Sequence, residues 1–345
     1  MRILQFDKRC NRQKTGISII VADKISMIPM KKVVLPVLLL LVSIGPVFSQ
    51  FDAQLSQYMF HISSFNPAAV GEGNMIQITG QDRIQWVGMP NAGSTLVCSI
   101  NSPLKIGKST NGVGFSFLKD QVGLFTNSSA HLQYAYKKKL GTNVLSIGAD
   151  LGFASIGFNG DSVRKIPIGE YHNIEGDPVI PKNSVTGMAL DINIGAFYST
   201  PTYYAGVSFS HINSPTVNWG DSMKFKPSGT LYLTGGGTVV MADPKFVLKP
   251  STLIKTDFSS FQIDLSARVE YNNKYWGGLS YRLQDAVVVL AGINISGGLS
   301  IGYSYDLPTS KIITASWGSH EILVMYSFEY MFGKRTSRYK SIRIL

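Results

Sequence analysis

The chain has 345 residues, 44% of them hydrophobic and only 15% charged, where about 25% charged is usual for a soluble domain. Of its 32 Lys/Arg, 8 lie in residues 1–49 and five more (Lys334, Arg335, Arg338, Lys340, Arg343) in the tail, so the body is near neutral; the formal net charge of +11 is therefore not a nucleic-acid footprint. Cys10 and Cys98 are the two cysteines, which excludes a multi-bridge disulfide framework or a cysteine metal site.

Residues 1–49 are read as a leader. Met30-Lys31-Lys32 opens a basic stretch and Val33 to Val42 is an apolar run, too short to cross a bilayer as a helix. Val47-Phe48-Ser49 has the spacing of a cleavage site before Gln50. Residues 30–49 are thus a signal peptide, and 1–29 an unpatterned extension that suggests the true start is Met30. The cleavage site lacks a lipobox cysteine.

Residues 50–73 form a periplasmic N-terminal segment before the first strand. Tyr58, Phe60 and Phe65 make it too apolar for a free tail. It either folds back as a plug, docks a periplasmic partner, or caps the barrel mouth. Pro67 after Asn66 favours an extended or turn conformation.

From residue 74 onward the pattern alternates. In 145–153, Leu145, Ile147, Ala149, Leu151 and Phe153 interleave with Ser146, Gly148, Asp150 and Gly152. In 261–271, Phe261, Ile263, Leu265, Ala267, Val269 and Tyr271 interleave with Gln262, Asp264, Ser266, Arg268 and Glu270. Soluble sandwiches alternate too. Here the strands are long, their apolar faces end in aromatics, and the other faces carry Gly, Ser and isolated charges, which suits a transmembrane wall. The expected fold is all-β, an antiparallel outer-membrane β-barrel of about 14 strands over 74–332. The strands are placed near 74–82, 93–101, 111–119, 128–138, 143–156, 186–198, 202–211, 228–241, 245–256, 258–270, 274–283, 286–294, 298–306 and 320–332. The long connections 157–185, 212–227 and 307–319 are then extracellular, and 102–110 is a longish periplasmic turn. The basic stretch 333–345 is a periplasmic tail.

Enzyme chemistry is not assembled. His320-Glu321 opens like a zinc helix, but Val324 stands where the second histidine belongs. Gly235-Gly236-Gly237 lacks the Gly-Lys-Ser/Thr of a phosphate loop, and a G-x-S-x-G elbow is missing. Asp150, Asp191, Asp264, Arg268, Glu270, Arg282 and Glu329 read as lumen-facing charges that pair across strands. No catalytic residue, metal ligand or cofactor is assigned.

Some stretches are more specific than the pattern. They are Gln57-Tyr58-Met59-Phe60, Phe65-Asn66-Pro67-Ala68 with Gly71, Arg83-Ile84-Gln85-Trp86 with Pro90, Gly112-Val113-Gly114, Asp120-Gln121-Val122-Gly123, and Gly318-Ser319-His320-Glu321-Ile322. In this order they resemble the PorP/SprF family of the type IX secretion system of Bacteroidota, over essentially the whole mature chain. Ala69-Val70 before Gly71 departs from the family's frequent aromatic-Ala pair. The resemblance implies a non-enzymatic barrel that supports export or surface attachment of secreted proteins such as gliding adhesins. It implies as partners outer-membrane lipid, other secretion components including a periplasmic peptidoglycan-anchoring subunit, and the secreted substrate, with no nucleic acid. Gln57, Tyr58, Met59, Asn66, Pro67, Ala68, Gly71, Arg83, Gln85, Trp86, His320 and Glu321 are the candidate partner contacts. Arg83 and Trp86 are placed just beyond the first strand, and His320-Glu321 at the opposite membrane face. The competing reading is a porin or a channel for hydrophobic compounds.

Overall fold

A computed structural model describes residues 52–73, 75–106, 109–162, 181, 183–219 and 223–329. The expected leader, the basic tail, and Tyr330 and Phe332 of the expected last strand lie outside the described residues.

Fourteen strands build the wall: β1 Ile76–Ile84, β2 Ser94–Ile106, β3 Ser109–Val122, β4 Phe125–Leu140, β5 Asn143–Asn159, β6 Ser184–Ser199 and β7 Tyr203–Ser210, then β8 Thr230–Gly237, β9 Phe246–Thr256, β10 Phe261–Tyr271, β11 Tyr275–Arg282, β12 Ala286–Ile295, β13 Leu299–Pro308 and β14 Ser319–Phe328. Each pairs antiparallel with its sequence neighbours. The ring closes where β1 meets β14, in register from Ile76 opposite Phe328 to Ile84 opposite His320. Closure satisfies the edge hydrogen bonds that lipid could not. Among the described residues no helix is long and apolar enough to cross a membrane.

The two faces of each strand are inverted relative to a soluble protein. In β5, Ser146, Gly148, Asp150, Gly152 and Ala154 are buried, while Leu145, Ile147, Leu151 and Phe153 are exposed. Leu132, Met188 and Ile147 are more than 60% exposed. Lipid is the solvent in which that arrangement is favourable. Tyr136, Tyr203, Tyr271, Tyr275 and Tyr326 stand exposed near one end of the wall, an aromatic girdle at an interface.

Connections at that end are short: 107–108, 141–142, 200–202, 272–274 and 296–298. Only 238–245 is longer there, and its Val239–Val240 pairs back on Leu248 and Val247. The strand ends joined through the long connections 160–183, 211–229 and 309–318 are all at the opposite end, with 163–180, 182 and 220–222 outside the described residues. That asymmetry marks the short-turn end as periplasmic. Within 211–229, Val217–Trp219 and Met223–Phe225 form a small hairpin. Trp219 donates its indole N–H to the Ile156 carbonyl (2.8 Å) and is buried with Val217 against Ile156 on the inner side of β5.

One boundary differs in kind. Residues 102–106 and 109–110 are strand rather than turn, because β2 runs to Ile106 and β3 starts at Ser109, with Pro103 opposite Gly112. Pro103 lacks an N–H and is expected to be excluded from a strand interior. It is tolerated because pairing of β1 with β2 ends at Asn101, leaving β2 bonded only to β3 beyond that point.

Candidate functional site: the occupied barrel interior

Residues 52–73 do not hang below the barrel as a periplasmic segment; they fill it. Three single 3-10 turns, Tyr58–Phe60, Ile62–Ser64 and Pro67–Ala69, fold the segment compactly. Asn66 caps the third, its side-chain oxygen accepting from the Ala68 N–H (3.0 Å), and Pro67 occupies the first turn position where a missing N–H costs nothing. Ser56, Gln57, Tyr58, His61, Asn66, Ala68 and Val70 are all essentially excluded from solvent.

The wall makes room for this segment with glycine. A Cβ on Gly112 would collide with the Val70 carbonyl oxygen, on Gly148 with the Ala68 nitrogen, on Gly195 with the Asn66 side chain, and on Gly302 with Gln57. Gly71 reciprocates: its φ of +64° suits a residue without Cβ, and a side chain there would strike the Ser102 carbonyl. Gln133 donates to the Ser63 carbonyl (2.7 Å), and Ser208 to the Phe65 carbonyl (2.6 Å). The Asn66 amide donates to the carbonyls of Ala196 (3.2 Å) and Val207 (3.4 Å). The Tyr58 hydroxyl reaches Ser251 and Ser266, each at 3.2 Å. Phe60 packs 4.8 Å from the Trp276 ring and lies under the Arg268 guanidinium (4.3 Å), a cation–π contact in a desolvated site.

Two charged clusters grip the start of the segment. In the first, Glu321 accepts from the backbone N–H groups of Ser56 and Gln57 (2.8 Å each) and from the Gln81 amide (2.7 Å). Arg83 pairs with Asp306 (2.9 Å) and Glu321 (3.5 Å). Arg282 pairs with Asp264 (2.8 Å), Asp306 (3.0 Å) and Asp285 (3.3 Å). Both guanidinium groups donate to the Ser56 hydroxyl, at 2.9 and 3.0 Å, and it donates to Asp306. Such a network contributes little net stability against an apolar alternative, but losing one member leaves a buried charge unpaired, at a cost of about 3–5 kcal/mol. It therefore fixes where the segment sits.

The second cluster runs Asp150–His131–Asp191–His211–Asp52. His131 lies 3.1 Å from Asp150 and 3.5 Å from Asp191. His211 lies 2.9 Å from Asp191 and 3.1 Å from Asp52. Tyr232 donates to the Asp52 carboxylate (2.6 Å) and Lys255 to its carbonyl (3.1 Å). Burial opposes charge on His211, yet the carboxylates on both ring nitrogens push its pKa up to about 10. A cavity of about 90 Å³ adjoins this cluster.

The sequence-derived residues divide between these settings. Gln57, Tyr58, Asn66, Pro67, Ala68 and Gly71 belong to the filling segment, and Met59 is half-buried against Tyr58, Tyr232 and Trp276. Asp150, Asp191, Asp264 and Arg282 are in the clusters; Glu270 pairs with Lys249 (2.6 Å) near the periplasmic end. Glu329 corrects the lumen-facing assignment: it follows the end of β14 and is exposed. The separation of the two motif patches is also corrected. Arg83 lies within β1, directly opposite Glu321 of β14, because an even strand count puts the end of the first strand and the start of the last at the same face. Trp86, with φ of 51°, donates its N–H to Ser319 (3.1 Å), and Gln85 bonds Gly93 through the backbone (2.8 Å). His320 points the other way from Glu321 and bonds the Tyr303 hydroxyl (2.6 Å).

Asp52, Ser56, Gln81, His131, His211, Tyr232, Lys255 and Asp306 were not singled out from sequence. Asp306 was accessible, since it shares strand parity with Ser300 and Ser304. Gln81 and His131 were accessible in the same way, on the inner faces of β1 and β4; His211, Tyr232 and Lys255 depend on knowing that Asp52 lies inside. As for catalysis, Ser99 contacts His61 (2.6 Å), but the remaining His61 ring nitrogen is buried without a partner, so the orienting third group of a hydrolytic triad is missing. Among the described residues no group of three or more His, Cys, Asp or Glu is arranged to hold a metal ion.

Comparison with known proteins adds the following. The model of the family described as type IX secretion system membrane protein PorP/SprF matches residues 47–326. No curated protein sequence matches. Among solved structures, the Ralstonia pickettii toluene transporter TbuX is similar at 11% identity and a TM-score of 0.46, covering 83% of this chain and 96% of that one. The Pseudomonas putida toluene transporter TodX gives 10%, 0.42, 82% and 95%. A Pseudomonas aeruginosa FadL homologue gives 10%, 0.43, 77% and 93%. Likeness at this level says nothing about what passes through or binds the barrel.

Proposed function

The chain belongs to the PorP/SprF family of type IX secretion system membrane proteins, and from that premise we propose that it is a non-enzymatic outer-membrane component that supports export or surface attachment of secreted proteins such as gliding adhesins. One observation carries the choice between this role and that of a transport channel. The lumen is occupied along its length by the chain's own N-terminal segment, tied by buried ion pairs at one mouth and by close backbone contacts with glycines lower down. A passive channel needs an open path; a platform for other proteins needs a rigid, sealed wall.

Its working surfaces are then the two rims. At the periplasmic rim Lys105, Lys138, Lys139, Lys245 and Lys274 are exposed, a positive fringe suited to an acidic periplasmic subunit anchored to peptidoglycan. At the outer rim the hairpin of Val217–Trp219 with Met223–Phe225 and the connection 309–318 offer area for the secreted protein.

The test is recovery of the tagged protein from outer membranes after mild cross-linking, alongside a deletion strain. Co-recovery of other type IX components, with loss of surface display of a secreted protein in the deletion strain, is expected. Recovery of the barrel alone, with normal display, contradicts the role.

A further inference from the structure

The N-terminal segment has a direction. Asp52 bonds His211, one residue beyond β7, Tyr232 near the start of β8, and Lys255 near the end of β9. Gln54 bonds Gln262 (3.2 Å), the second residue of β10, and Asp285 (3.1 Å), in the connection from β11 to β12. Ser56 bonds Asp306, Arg282 and Glu321, all near the same ends of their strands. Every one of these partners lies at the long-loop mouth. Glu72 instead bonds Lys137 (3.1 Å) and Ser199 (2.7 Å), close to the short-turn ends of β4 and β6. The residues between descend in order, Tyr58 to Ser251 and Ser266, His61 to Ser99, Asn66 to Ala196, Ala68 against Gly148.

We infer that residues 52–72 are a fifteenth crossing of the membrane, running from the outer mouth to the periplasmic mouth, so that Asp52 stands at the outer mouth. A chain of this length with three single turns can reach across an apolar band of about 25 Å. The return crossing is β1, which begins at the periplasmic end. The segment touches β1 to β11, β13 and β14, and the seam residues Arg83 and Glu321 both hold Ser56, so the seam is closed around it. The topology follows from barrel geometry and stands or falls independently of the secretion role.

Two measurements on the full-length protein decide it. First, a short epitope placed directly ahead of Asp52 is probed with antibody on intact cells, with the same epitope at Gly123, in an outer hairpin, and at Gly297, in a periplasmic turn, as references. Detection without permeabilisation, as at Gly123, is expected; detection only after permeabilisation, as at Gly297, overturns the inference. Second, should the epitope block assembly, Gln54→Cys and Gln262→Cys are combined in a Cys98→Ser background and treated in outer membranes with a short bis-maleimide, whose span replaces that of the two glutamine side chains now in contact. Formation of the intramolecular cross-link supports the crossing. Two thiols that stay unlinked in a folded barrel overturn it.

Discussion

Arg83 and Glu321 face one another across the seam at which the first strand meets the last, 3.5 Å apart and almost wholly excluded from solvent. The same carboxylate holds the backbone of Ser56 and Gln57. One buried side chain thus ties the barrel's closure to the position of its occupant. Two sequence patches separated by most of the chain are joined in a single site.

Removing that carboxylate should loosen both. Glu321→Ala leaves Arg83 short of a partner and two backbone N–H groups unsatisfied, a loss of about 3–5 kcal/mol. Glu321→Gln keeps acceptor capacity and should lose less. The readout is the temperature at which the folded barrel converts to the slower-migrating unfolded form in detergent gels. It should fall in the order wild type, Gln, Ala; equal temperatures would contradict the coupling.

Gly148 is a second control point. A Cβ there meets the backbone of Pro67 and Ala68, which cannot swing aside as a side-chain tip can. Gly148→Val should cost about 1–3 kcal/mol through overpacking. The loss should appear as faster hydrogen exchange across 52–72, while exchange in β4 and β5 stays slow. Uniformly unchanged exchange would show that the contact is not close.

The outer end of the segment should respond to alkali. With Asp52 and Asp191 on its ring nitrogens, His211 has a pKa of about 10 in the folded protein, against about 6.5 unfolded. Its contribution to stability is therefore complete below about pH 6.5 and disappears as pH rises through about 10. Lys255 and Tyr232 also face Asp52, so a His211→Asn variant serves as the reference. Exchange of the Asp52–Ser56 amides, corrected for the intrinsic base-catalysed rate, should accelerate in the wild type as pH approaches about 10. In the variant it should be fast already at neutral pH. Parallel profiles in the two proteins would contradict the assignment.

The wall was legible in the sequence because a two-sided environment imposes a two-residue period. Ile263 and Leu265 outside, Asp264 and Ser266 inside, is a pattern that backbone geometry alone enforces. Pro103 misled for the complementary reason: it looks like a turn residue, and its tolerance in β2 depends on which neighbour the strand still pairs with. The interior was harder to read. Lumen charges such as Asp264 and Arg282 announce themselves by parity, but their meeting with Ser56 depends on a segment whose turns carry no period. Asn66-Pro67 and Tyr58 signalled that 50–73 was not a free tail; only the three-dimensional contacts place it in the lumen.

Single-channel recording of the purified full-length barrel in planar bilayers tests the central claim, that this chain seals its own lumen. The wild type should show no large, steady conductance, and deletion of residues 53–70 should produce one. A large, steady open pore from the wild-type protein would contradict the account.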